Sequence, residues 1–311
     1  MSFCGYIAFL GRPNAGKSTL LNAMIGCKIA GVSRKAQTTR NRITGIFTED
    51  DRQLVFLDTP GLHKAKGKPR LNQLMNQEAW GVVQDADVVC YLIDGTAGWQ
   101  PADQALIEKL IARTSSPIMI LVTKEDAVKK TIIQQGLVSV EAGLSACKIP
   151  EDKPKPKIKL ISARRRTSLE DLRSLWMDMI PEGPMLFDED EMSASPEKLI
   201  LSELIREQLF RQTGQELPYG ASVRVDSVEE KTEPKLMHVV HGSLIVSRDS
   251  HKGMVIGKRG QRLKSIGQAA RESLESYFET PVFLDLHVQV QQGWMDEARA
   301  IAELQFNPGG E

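Results

Sequence analysis

Short apolar runs alternate with segments of helical period over the first 180 residues. Runs at 5–10, 43–47, 53–58, 87–94, 117–123 and 158–162 read as strands. Helical spacing at 18–26, 69–83, 101–114, 128–147 and 168–179 fills the gaps. This alternation predicts a mostly parallel sheet with helices on both faces, and ligands at the carboxyl ends of its strands. The pattern then breaks. Residues 181–195, rich in Pro, Gly, Asp, Glu and Ser, read as a linker. Ser195-Pro196 reads as an N-cap with proline at the first helical position, opening a helix over 196–213 with Leu201, Leu204, Ile205 and Leu209 on one face. Strands follow at 221–228 and 236–247, a helix at about 260–278, a cleanly alternating strand at 282–290 and a closing helix at 294–304. The expected organisation is a first domain over 1–180, a linker over 181–195 and a smaller α+β domain over 196–311.

Composition narrows the class. The chain has 311 residues and a formal net charge of zero, so a nucleic-acid site would have to be a local patch. Cys4, Cys27, Cys90 and Cys147 are widely spaced and read as small hydrophobes in a reducing compartment. No apolar run reaches the length of a membrane span, and the first strand begins almost at Met1, leaving no room for a leader peptide. A soluble cytoplasmic monomer is the expectation.

Between the first strand and first helix lies Gly11-Arg12-Pro13-Asn14-Ala15-Gly16-Lys17-Ser18. Strand, glycine loop and helix is the context of a phosphate loop. Backbone N–H groups cradle phosphate oxygens, Lys17 reaches the outer phosphates, and Ser18 ligates Mg²⁺, with Thr19 beside it. Asp58-Thr59-Pro60-Gly61 follows an apolar strand. There Asp58 can hold Mg²⁺ through water, and the Gly61 N–H can meet the γ-phosphate. Thr123-Lys124-Glu125-Asp126 ends another strand. The Asp126 carboxylate can accept the paired N1–H and N2–H donors of guanine; adenine offers no such pair and would leave the carboxylate unsatisfied. Ser162-Ala163 completes the series, small residues letting backbone N–H groups meet the guanine oxygen. These boxes resemble the translation-factor class of GTPases, with Thr123 in place of the usual Asn.

Ser33 to Arg40 reads as a polar, mobile loop, in which Thr38 or Thr39 would reach Mg²⁺; a basic surface loop on RNA is the alternative. Leu62 stands where many GTPases carry a water-orienting Gln. Among GTPases lacking that Gln, some relatives with Asn at the Asn14 position use K⁺ in place of an arginine finger. Asn14 is therefore read either as a turn residue or as a K⁺ ligand. The expected catalytic set is Lys17, Asn14, Thr39 and Gly61.

In the second domain, Val255-Ile256-Gly257-Lys258-Arg259-Gly260 fits the G-x-x-G loop of KH domains. Five Lys or Arg (Lys252, Lys258, Arg259, Arg262, Lys264) and no acid lie between Ser250 and Ala270. That is the footprint of a phosphate backbone. The element order also fits a bacterial-type KH domain.

These motifs, with Arg34 to Arg40, Leu62-His63, Glu216-Leu217-Pro218-Tyr219 and Gly293-Trp294, resemble the Era-type GTPases of bacteria across nearly the whole chain. The resemblance implies a GTP/GDP switch coupled to assembly of the small ribosomal subunit, a KH domain on small-subunit rRNA near its three-prime end, and peripheral contact with the inner membrane. A small-molecule kinase is disfavoured by the Asp126 box, and a tRNA-modifying GTPase by the lack of a cofactor domain or reactive-cysteine motif.

Overall fold

The computed structural model describes residues 1–33, 35, 38–62, 69–127, 129–214, 217, 220–233 and 235–305. These form two compact units. The first comprises the described parts of Met1–Gly26, Arg42–Lys64 and Met75–Ala194. The second comprises those of Cys27–Asn41, Ala65–Leu74 and Ser195–Glu311.

The first unit is built on a sheet of β1 (Phe3–Gly11), β2 (Ile43–Glu49), β3 (Arg52–Asp58), β4 (Val88–Asp94), β5 (Ile118–Thr123) and β6 (Lys157–Leu160), in the order β2-β3-β1-β4-β5-β6. Only β2 runs antiparallel to its neighbour. The helices are α1 (Lys17–Ile25), α2 (Arg70–Asp85, in this unit from Met75 on), α3 (Pro101–Arg113), α4 (Lys130–Ser145) and α5 (Arg166–Met177). The two-residue period of the strands divides the core. Ala8, Leu10, Val55, Leu57, Tyr91 and Ile93 face one layer with apolar residues of α2, α3 and α4. On the other face Phe9 and Phe56 stack at 5.5 Å between centroids, and Trp176 of α5 packs on both. Such ring pairs add roughly 0.5–1.5 kcal/mol each beyond area burial, which fixes α5 on the sheet.

Both sheet edges are managed. Ile46 N–H donates to the Met192 carbonyl at 2.9 Å, so the segment after α5 lies along β2. The buried Gln53 side chain anchors that segment, its oxygen accepting from Leu186 and Phe187 N–H and its amide donating to the Phe187 carbonyl. Residues 181–194 are thus laid along the first unit. At the opposite edge β6 is short and preceded by Pro154-Lys155-Pro156, which blunts an edge that could otherwise recruit another strand. Lys153, Lys155 and Lys157 add charge to the same stretch.

In the second unit, β7 (Ala221–Lys231), β8 (Met237–Val246) and β9 (Val282–Val290) form a sheet, β7 antiparallel and β9 parallel to β8. Helices α6 (Glu197–Gln212) and α8 (Gln261–Phe278) pack on it; α7 (Asp249–Ile256) precedes the glycine loop and α9 (Ala298–Gln305) closes the chain. Three expectations are corrected. Pro196 is the N-cap and not the first helical residue, its carbonyl accepting from Leu199 and Ile200 N–H. Every residue of α6 from Ile200 to Phe210 is buried, so that stretch has no solvent face; the described residues of 27–41 belong to the same unit. The closing helix begins at Ala298, after a turn through Gly293 with φ 71°.

Candidate functional site

The carboxyl ends of β1, β3 and β5 bring the phosphate loop, the Asp58 turn and the base-reading turn to one edge of the first unit. Gly16 caps α1 with φ 100° and Asn14 has φ 65°, both in the left-handed region, as a loop wrapped round an anion requires. Asn is tolerant of that region, which fits a turn role for Asn14. Lys17 is buried, and its ammonium is held by the carbonyls of Gly11 and Arg12 at 3.4 and 3.3 Å. Burial depresses its pKa, and the Asp58 charge opposes that.

The Ser18 hydroxyl donates to Asp58 Oδ2 at 2.6 Å. Two hard oxygen donors side by side, one of them anionic, suit Mg²⁺. Thr59 donates to the Phe9 carbonyl at 2.8 Å, and Leu62 N–H to the Gly11 carbonyl at 3.0 Å, seating the Asp58–Leu62 turn on the phosphate loop. Gly61 lies so close that an added Cβ would fall 2.7 Å from Pro13 N and 2.8 Å from its Cα. Pro60 is buried behind it.

Thr123 donates to the Ala15 carbonyl at 2.8 Å, with the Ile93 carbonyl at 3.2 Å, tying β5 to the phosphate loop. Lys124, at φ 65°, pairs with Asp94 at 2.6 Å. Burial raises the Asp94 pKa, but Lys124 and Thr96 outweigh it and hold the carboxyl below its usual range. Asp94 was not singled out from the sequence, and only its place at the end of β4 could have drawn attention to it. The Ser162 hydroxyl donates to Asp126 Oδ1 at 2.6 Å and is the main cause of that carboxyl's depressed pKa. Arg164 stands 3.6 Å from Asp126, and Arg165 pairs with Glu125 at 3.0 Å, so two arginines bracket the base-reading turn. Strand β6 ends at Leu160, leaving Ser162-Ala163 in the following turn.

Thr38 and Thr39 belong to the second unit and are buried there. The Thr38 hydroxyl bonds the Ser33 hydroxyl at 2.6 Å and the Lys35 carbonyl at 2.8 Å; its own carbonyl accepts from Arg206. Glu207 accepts from Lys28 and from Val32 N–H, and Lys35 bonds the Phe210 and Thr213 carbonyls. The described part of the loop is therefore strapped along α6 by charged contacts. Arg40 is fully buried over Phe210 and Trp294, and burial lowers its pKa to about 9. Burial likewise raises the Glu203 pKa against the pull of Arg206. Arg34, Ala36, Gln37, His63, Glu216, Pro218 and Tyr219 lie outside the described residues.

At the second motif, Gly257 (φ 70°), Arg259 (φ 51°) and Gly260 (φ 75°) turn the chain between α7 and α8. The turn leaves Lys258 and Arg259 exposed, with Lys264 beyond them. Arg262 is exposed but donates to the Met254 carbonyl at 2.6 Å, so it also braces the turn. Val255 is fully buried and Ile256 half-buried, so the Val255 side chain belongs to the core beneath the loop.

Residues 6–124 match a family described as 50S ribosome-binding GTPase, and residues 216–295 match the KH domain. GTPase Era of Pseudomonas aeruginosa is 40% identical over 305 residues, covering 98% of this chain and 95% of that protein. The chain belongs to the Era family of GTPases. GTPase Era of Histophilus somni is 38% identical over 306 residues, 98% of this chain. A solved structure of Era in complex with MgGDPNP and nucleotides 1506–1542 of 16S ribosomal RNA matches with TM-score 0.88 at 32% identity, covering 98% of this chain and 99% of that one. An Aquifex aeolicus Era variant bound to GDP·AlF4⁻ matches with TM-score 0.87 at 32% identity over 97% of this chain. The chain thus carries a P-loop GTPase domain followed by a C-terminal KH domain. Among the described residues, no helix is long and apolar enough to cross a membrane.

Proposed function

We propose that this Era-family GTPase is an RNA-binding switch that acts in assembly of the small ribosomal subunit. Its KH domain would take single-stranded rRNA near the three-prime end, and GTP occupancy would set its RNA affinity. One combination in the chain carries the reading: a carboxylate suited to guanine, Asp126, aligned by Ser162, and an exposed Lys258-Arg259 pair held between two glycines of positive φ.

Hydrolysis needs an in-line water. It attacks the γ-phosphorus as the bond to the β–γ bridging oxygen breaks, and GDP leaves. Lys17 would spread the developing charge, and the Gly61 N–H would bind a γ-oxygen. Ser18 and, through water, Asp58 would hold Mg²⁺, with Thr38 or Thr39 as the proposed further ligand; the ion would supply charge neutralisation at the outer phosphates. Leu62 is apolar and cannot orient the water by hydrogen bonding, which leaves room for K⁺ at Asn14 as an activator. The base would lie against Lys124, with Glu125, Asp126, Ser162 and Ala163 along its edge. Lys258, Arg259, Arg262 and Lys264 would meet phosphates, and the backbone from Val255 to Gly260 would allow close approach. The protein would act as a cytoplasmic monomer, with peripheral contact to the inner membrane. The domain boundaries proposed for these roles are 1–180 and 196–311 about a connecting 181–195.

The switch is tested by titrating a labelled rRNA three-prime-end oligonucleotide with GDPNP-loaded and GDP-loaded protein. Tighter binding with GDPNP is expected. Equal affinity in the two states would remove the switch and leave two independent activities.

A further inference from the structure

Arg12, the second residue of the phosphate loop, does not stand alone. Its Nε donates to Asp103 Oδ1 at 2.9 Å. Asp103 is completely buried, whereas the Arg12 side chain keeps 28% of its exposure. The Tyr91 hydroxyl donates to the same oxygen at 2.8 Å, and Gln100 N–H donates to Oδ2 at 2.8 Å. Tyr91 sits on β4 opposite Leu10 of β1, one residue before the loop, and Asp103 sits in the first turn of α3. Burial and the Asp103 charge both push the Tyr91 pKa far up, so its hydroxyl stays a donor.

Capping α3 requires only the Gln100 contact on Oδ2. The second oxygen is spent on a cation 91 residues earlier in sequence, and such a pair gains little stability against its desolvation cost. Its value lies in what it holds. The Arg12 carbonyl accepts from Ala15 N–H at 3.3 Å, which closes the loop's first turn, and from the Lys17 ammonium at 3.3 Å. A buried carboxylate thus fixes the side chain of the residue whose carbonyl shapes the loop and seats its lysine.

We propose that Asp103 is a positioning residue for the phosphate loop, acting through Arg12, with Tyr91 fixing the carboxylate's orientation. The proposal rests on the nucleotide site described above. Rigid placement of the loop before nucleotide arrives lowers the ordering cost of binding. GTP and GDP affinity should therefore both depend on a side chain that belongs to none of the nucleotide motifs.

The test is a double-mutant cycle read in two ways: Kd for Mg-GTP, and Tm of the nucleotide-free protein. Asp103→Asn keeps an oxygen for the α3 cap but loses the charge, and should raise Kd by about tenfold. Arg12→Met should do the same, and the double variant should be worse than either single by no more than about twofold. Tyr91→Phe keeps the ion pair but frees the carboxylate to turn; it should raise Kd by a smaller factor than Asp103→Asn, about threefold. The proposal is overturned if Asp103→Asn lowers Tm and leaves Kd unchanged, or if the two losses multiply in the double variant. Should Asp103→Asn fail to fold, an unchanged Kd in Arg12→Met overturns it as well. Failure of the wild-type protein to bind GTP would instead sink the functional reading beneath it.

Discussion

Thr123 stands where the usual base-reading box has Asn, and its geometry shows how much of that role a hydroxyl retains. One donated bond to the Ala15 carbonyl keeps β5 tied to the phosphate loop; the second amide donor is gone. In the proposed base-reading role, recognition would lean on Asp126, whose ionised state is secured chiefly by Ser162 and secondarily by Arg164 and Arg165. Asp126→Asn exchanges a two-oxygen acceptor for a mixed amide. It should weaken GTP binding by roughly 2–4 kcal/mol and let XTP partly restore it, as measured by competition against a fluorescent nucleotide. The motif residues were legible because their spacing is local. Gln53, Asp94 and Asp103 were not, since each earns its place through partners far along the chain, such as Phe187, Lys124 and Arg12.

At the scale of elements, hydrophobic period gave the strands and helices of both units to within a few residues, α7 excepted. It failed at α6, where the apolar stripe was real but the polar positions Glu203, Arg206 and Glu207 are buried too. Glu203 pairs with Arg206, and Arg206 and Glu207 reach Thr38, Lys28 and Val32 of the 27–41 segment, which composition marks only as polar. The turn after β3 offers a sharp test of loop seating. Gly61→Ala would push a methyl against the Pro13 backbone, which has no rotamer to yield. Phosphate release should fall at least about tenfold, because misplacement of reacting groups by about 1 Å is that costly, while Tm moves little. The phosphate loop itself separates the two readings of Asn14. If Asn14 ligates K⁺, turnover rises when K⁺ replaces Na⁺ at constant ionic strength, and Asn14→Ala loses the difference. Equal rates in both salts leave Asn14 as the turn residue its φ of 65° already suits.

For the whole molecule, a net charge of zero conceals a division of labour. The phosphate loop is built to take anions from solution, and the 257–260 turn carries its cations exposed. The central claim is that these are two sites with separate chemistry in one chain. Lys258→Asp with Arg259→Asp tests it most directly, with RNA titration at several salt concentrations and phosphate release without RNA measured on one preparation. RNA binding should weaken broadly, and its log–log salt dependence should flatten by about 0.7 for each lost phosphate contact. Basal GTP hydrolysis and GTP affinity should hardly change. Unchanged RNA binding, or RNA binding and basal hydrolysis lost together, would contradict the account.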